Sequence, residues 1–183
     1  MSLIFDNKIN DEIEDNEYEE IDENELQDKI EIMFNFIGNG YELDELKDFI
    51  SYLNSDELNM LLDLSIKSNN ILALNDLLFY KNLDNDINYS ELLLTSSIEK
   101  NETILNFFLN CCSEKLIENI NDTKKRENIL YTFKNILFIN NRIAYKIFNN
   151  FLNENDFEKL ELNEQEYFKQ IYKKYRSKKV ILK

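Results

Sequence analysis

The 183-residue chain contains no proline, and its two glycines, Gly38 and Gly40, stand two residues apart. Sheets closed by tight turns draw on glycine for positive-φ positions and on proline for pre-set ones. A chain this poor in both is suited to helices, with Asn, Asp and Ser at the turns. Hydrophobic residues make up 43% of the chain, mostly Leu, Ile, Phe and Tyr, enough for a core of ordinary size. At this length one domain is expected, alone or with an arm.

The apolar residues recur three and four apart almost throughout, which is the helical period. Leu26, Ile30, Met33, Phe34 and Ile37 form one stripe, with Asn24 as its candidate cap and Gly38-Asn39-Gly40 as its stop signal. Leu46, Phe49, Ile50 and Leu53 form a second, with Asp44 near its start. Ser55 opens a third, carrying Leu58, Leu61, Leu62 and Ile66, and Ile71, Leu74, Leu77 and Leu78 make a fourth. After a polar turn from Asn82 to Asn88, Ser90 opens a fifth with Leu93, Leu94 and Ile98. Ile104, Leu105, Phe107 and Phe108 make a sixth, and the remainder reads alike through Phe133, Ile147 and Phe168 to Tyr175. Helices this short are unstable alone in water and must bury their stripes against neighbours. Helical hairpins stacked side by side are the economical solution.

Charge is unevenly placed within a formal net of −15. Asp11, Glu12, Glu14, Asp15, Glu17, Glu19, Glu20, Asp22, Glu23 and Glu25 form an acidic block, interrupted by Ile13, Tyr18 and Ile21. Like charges at this density repel one another out of a packed core, so residues 1–24 are expected to be an acidic arm. The arm anchors on a partner or on its own domain, or serves only to solubilise. Residues 25–175 are expected to form the helical domain, and 176–183 a basic tail. Lys169, Lys173, Lys174, Arg176, Lys178, Lys179 and Lys183 supply the positive charge, with Tyr172 and Tyr175 interleaved. That end is either an anionic-ligand patch or a counterweight to the arm and to the last helix's C-terminal dipole.

No segment reaches eighteen continuous apolar residues, and the first residues lack the basic region and apolar run of a signal peptide. The cysteines, Cys111 and Cys112, are adjacent, a placement that rarely forms a disulfide. A reducing cytoplasm is the expected location.

Two segments match at a spacing of 32: Leu61-Leu62-Asp63-Leu64-Ser65-Ile66-Lys67-Ser68-Asn69-Asn70 and Leu93-Leu94-Thr95-Ser96-Ser97-Ile98-Glu99-Lys100-Asn101-Glu102. A small residue, Ser65 or Ser97, stands where helices would approach closely, and a second apolar stripe follows each segment. The pattern resembles the ankyrin repeat, with Leu62 to Ile66 at the first-helix core and Asn69-Asn70 at the turn. Ala73-Leu74 and Leu77-Leu78 then stand at the second helix, and Asp86-Ile87-Asn88 at the loop end. Asn141 to Phe148 is a more degenerate candidate unit. The family's Thr-Pro, His and loop Gly are missing. The resemblance, over roughly 41–152, implies an all-α fold of short antiparallel helix pairs stacked as a divergent ankyrin-like solenoid. An irregular helical bundle is the alternative.

Catalytic constellations are sparse. Gly38-Asn39-Gly40 is too short for a phosphate loop, and a chain without His lacks the usual triads and His-bearing metal motifs. Carboxylate pairs such as Glu154 with Glu158, or Glu161 with Glu164, read as solvated surface rather than as Mg²⁺ ligands. No catalysis, cofactor or metal is therefore expected. The expected role is a non-catalytic protein-binding module, as the ankyrin resemblance implies. Its acidity suits an inhibitor of a basic nucleic-acid-processing protein, of the immunity, antitoxin or anti-defence kind. The candidate contact residues are Asp11, Glu12, Glu14, Asp15, Glu17, Tyr18, Glu19, Glu20, Asp22 and Glu23. Direct nucleic-acid binding through the basic tail is the alternative, and no membrane partner is expected.

Overall fold

The computed structural model describes residues 21–79 and 87–180, which form an all-α fold with no strand among them. In chain order the helices are α1 (Glu23–Gly38), α2 (Lys47–Ile50), α3 (Ser55–Lys67), α4 (Ile71–Phe79), α5 (Tyr89–Ile98) and α6 (Glu102–Cys111). There follow α7 (Ser113–Glu118), α8 (Thr123–Leu137), α9 (Asn141–Phe151), α10 (Glu154–Glu158) and α11 (Leu162–Val180). Short 3-10 turns at Asp44–Leu46 and Asn119–Asn121 lead into α2 and α8.

Asn and Asp start most of these helices, by accepting bonds from backbone N–H groups that have no intrahelical partner. Asp22 caps α1 by accepting from the Asn24 N–H at 2.8 Å, two residues ahead of the expected cap. Asn54 caps α3 in a reciprocal box with Glu57, so Ser55 is the first helical residue rather than the cap. Likewise Asn88 caps α5, which releases Ser90 to be buried within the first turn.

Three hairpins share one turn design. The N–H of Asn70 donates to the Ser65 carbonyl, and that of Asn101 to the Ser96 carbonyl; the residue before each, Asn69 (φ 56°) or Lys100 (φ 54°), is left-handed. Tyr41, Phe36 and Gly40 (φ 81°) repeat the arrangement after α1. This is the helix-ending motif that a left-handed residue permits. Ser65 and Ser96 are both fully buried, and each donates its Oγ–H to the carbonyl four residues earlier at 2.8 Å. The geometric equivalence therefore runs Ser65–Ser96 and Asn70–Asn101, an offset of 31 rather than the 32 at which the apolar letters align. Lys100 occupies a conformation that costs a side-chain-bearing residue about 1–2 kcal/mol. Lys100→Gly is accordingly expected to raise stability by about 0.5–1 kcal/mol in urea denaturation, and Asn69→Gly by less, since Asn tolerates this region.

The capping asparagines also tie each turn to the one before it. Asn70 accepts from the Ala73 N–H and donates through Nδ2 to the Tyr41 carbonyl at 2.7 Å and the Ile37 carbonyl at 3.2 Å. Asn101 donates to Asn69 Oδ1 at 2.9 Å, and Asn140, which caps α9, donates to the Glu102 carboxylate at 2.8 Å. Only Asn70 is buried among the three, at 4% exposure. Asn70→Ala should cost about 2–3 kcal/mol, a lost cap plus carbonyls stranded away from water. Asn140→Ala should cost about 1 kcal/mol, because water replaces its exposed partner. Equal losses in parallel denaturation curves would contradict this ordering.

Packing follows the turns. α1 lies on α3, α3 on α5, and α5 on α8, while α4, α6 and α9 pair with the helix that precedes each turn. Small residues bring α5 and α8 together: Asn128 donates to Ser90 Oγ at 3.3 Å and Asn135 to Ser97 Oγ at 3.0 Å. Ser97, singled out in the sequence for close approach, is buried there. At the N-terminal end, Asp76 of α4 accepts from the Leu43 N–H at 3.0 Å and pairs with Lys47 at 3.2 Å. At the other end Phe133, Phe148, Phe157 and Phe168 knit α8, α9, α10 and α11 together.

Candidate interaction surface

A groove of 630 Å³ lies between α3 and α5. Periodicity places its lining: Asp56, Met60 and Asp63 stand four and three apart on α3, and Glu91 and Thr95 four apart on α5. Asn59, Asn88 and Leu92 complete the wall. Met60 is 54% exposed at the centre of this acidic surface. Among the described residues the lining holds no cation. Lys67, one turn beyond Asp63 on α3, pairs with it at 2.5 Å. Asp63 thus has a counter-ion, whereas Asp56 and Glu91 leave the groove negative.

Of the ten contact residues expected from the sequence, Asp11, Glu12, Glu14, Asp15, Glu17, Tyr18, Glu19 and Glu20 lie outside the described residues. Asp22 and Glu23 stand at the head of α1, where Asp22 is its cap and Glu23 sits in the first turn. Negative charge there complements the helix dipole. Neither residue is part of the α3/α5 groove lining, which sequence reasoning missed because its carboxylates are scattered along the chain. The Asp86 of the expected loop end is also outside the described residues, whereas Ile87 is buried and Asn88 is the α5 cap.

The carboxylate pairs resolve individually. Glu164 accepts from the Glu161 N–H at 2.8 Å at the start of α11 and lies 3.7 Å from Lys134. Glu158 is exposed at the end of α10. Among the described residues no three Cys, Asp or Glu side chains converge as a metal site. The Cys112 thiol is buried, and burial, with Cys111 beside it, pushes its pKa up to about 12, so it stays protonated at neutral pH.

The basic residues from Lys169 to Lys179 lie within α11, which runs to Val180. Lys169, Lys173 and Arg176 stand four and three apart on one stripe, at the edge of a second groove of 740 Å³ floored by Phe148, Phe157, Phe168 and Tyr172. Lys169 lies over the Phe157 ring at 5.6 Å and Arg176 over the Tyr172 ring at 5.9 Å. The molecule therefore carries an acidic groove near its middle and a basic aromatic groove at its C-terminal end.

No described helix is long and apolar enough to cross a membrane. No protein-family model, curated protein or solved structure matches this chain.

Proposed function

We propose that the chain is a non-catalytic protein-binding module of ankyrin-like type, in which stacked helical hairpins offer the α3/α5 groove to a basic segment of another protein. The observation that carries this reading is Met60, exposed among Asp56, Asp63 and Glu91 in a groove whose described lining holds no cation. An apolar contact ringed by carboxylates suits a lysine- or arginine-rich segment with one apolar side chain. The charge would steer encounter and make binding strongly salt-dependent. Stacked hairpins suit such a role because each unit supplies its own exposed positions without disturbing the core. A nucleic-acid-processing enzyme is the kind of partner with such segments, and an acidic antagonist of one, as in immunity, antitoxin or anti-defence proteins, is the specific role proposed.

A pull-down from the native host tests this. The full chain should recover a basic protein, and Asp56→Lys with Glu91→Lys should weaken recovery at least about tenfold, a loss of about 1.4 kcal/mol. Equal recovery by the variant would remove the groove from consideration. Recovery lost only when residues 1–20 are deleted would move the contact to the acidic arm.

A further inference from the structure

The α11 groove has no part in that reading. Its floor is aromatic and its edge carries Lys169, Lys173 and Arg176; Glu154 is the one carboxylate in its lining. From Lys169 to Lys183 the chain has seven cations and no carboxylate. An occupant should therefore be polyanionic and also carry spaced apolar side chains. The chain itself contains such a segment. Residues 1–20 hold eight carboxylates against the single Lys8, and Ile9, Ile13 and Tyr18 punctuate them.

Reach decides between the molecule's own arm and that of a neighbour. The arm leaves from Asp22 at α1, whereas α11 lies beyond α3, α5 and α8 in the packing order. Adjacent helices pack about 10 Å apart, so the span is about 40 Å. Fully extended chain covers about 3.4 Å per residue, which brings Tyr18 at most about 14 Å from Asp22, Ile13 about 31 Å and Ile9 about 44 Å. Only Ile9 extends that far, so the three apolar side chains cannot seat together in the groove of their own molecule. We propose that the α11 groove binds the Ile9–Glu20 segment of a second copy of this chain, head to tail. The apolar side chains seat on Phe157, Phe168 and Tyr172, and the carboxylates pair with Lys169, Lys173 and Arg176. A contact of this sense presents a free arm and a free groove at opposite ends, so it builds open chains or rings rather than a closed two-fold dimer. It stands independently of whatever the α3/α5 groove binds.

Sedimentation of the full chain tests it. At about 50 mM salt the average mass should rise with concentration above the 22.0 kDa monomer, and at about 500 mM it should fall back. A groove variant (Lys169→Glu, Lys173→Glu, Arg176→Glu) and an arm variant (Ile9→Ser, Ile13→Ser, Tyr18→Ser), each with native circular dichroism, should stay monomeric alone. Mixed, they should form a pair and nothing larger, since one retains the arm and the other the groove. A full chain that stays monomeric to about 1 mM overturns the proposal, and so does undiminished association of the groove variant. Retention of a single-stranded oligonucleotide by the full chain, lost in the groove variant, would assign the groove to nucleic acid instead.

Discussion

Phe133→Ala is expected to destabilise the folded chain by about 4 kcal/mol and to lower the thermal midpoint by about 10 °C. Phe133 is wholly buried on α8, 5.1 Å from the Phe168 ring of α11 and 5.6 Å from the Phe148 ring of α9. The Phe133–Phe168 pair is edge-to-face at 88°, the arrangement that ring quadrupoles favour, worth about 0.5–1.5 kcal/mol beyond burial. Truncation removes the transfer energy of a large ring, that pairing and its partner with Phe148, and leaves a cavity at the joint of three helices. Phe133→Leu keeps most of the volume and should cost about 1–1.5 kcal/mol. The contrast separates cavity formation from a general sensitivity of α8. Contacts here run mainly between neighbouring helices, so loss at this joint should loosen α9 to α11 before α1 to α5. Hydrogen exchange should show protection falling first at Ile147 and Ile171. Uniform loss along the chain would mean that the stack unfolds as one unit.

Local rules succeeded where a feature is encoded by neighbours in sequence. Ile30, Met33 and Ile37 are the buried stripe of α1, and Gly40 supplies the positive φ just past its end, both legible from spacing and residue type. The turn at Asn69-Asn70 was legible for the same reason, whereas its counterpart, aligned with Asn101-Glu102, falls one residue earlier at Lys100-Asn101. Errors of one or two residues arose at helix starts, because Asn, Asp and Ser crowd every candidate position. Asn54 outcompetes Ser55 through its reciprocal bond with Glu57, and Asp22 outcompetes Asn24. The repeat offset slipped for a related reason: Leu61-Leu62 matches Leu93-Leu94 as letters, whereas the buried Ser65 and Ser96 set the geometry. Contacts between residues about thirty or more apart left no local trace. Asp76 with Leu43, Asn128 with Ser90 and Arg126 with Asp156 are of this kind. The α3/α5 groove belongs with them, since its acidity comes from Asp56, Asp63 and Glu91 meeting across two helices.

Arg126→Ala should cost about 3 kcal/mol at neutral pH, and its effect should shrink on acidification. Asp156 is 1% exposed, and Arg126 of α8 grips it through Nε at 3.1 Å and a terminal nitrogen at 2.6 Å. The Asn153 N–H donates to the same carboxylate at 3.0 Å, so Asp156 also completes the cap of α10. Burial disfavours the charge, but Arg126, the Asn153 backbone and Lys159 outweigh it and hold the carboxyl below its ordinary value of 3.8. A carboxylate with a lowered folded-state pKa gives stability that is complete above its unfolded value and lost as pH falls through the folded one. The wild-type chain should therefore lose this contribution below about pH 4, and Asp156→Asn should lack that portion of the slope. Arg126→Ala behaves differently. It leaves a buried carboxylate with Lys159 at 3.6 Å as its nearest cation, so its pKa must rise and the group can relieve its burial by protonating. The gap between wild type and Arg126→Ala should consequently close between about pH 6 and about pH 3, whereas loss of packing alone would leave it constant. Arg126→Lys keeps the charge but not the two-pronged grip, and should fall between the two.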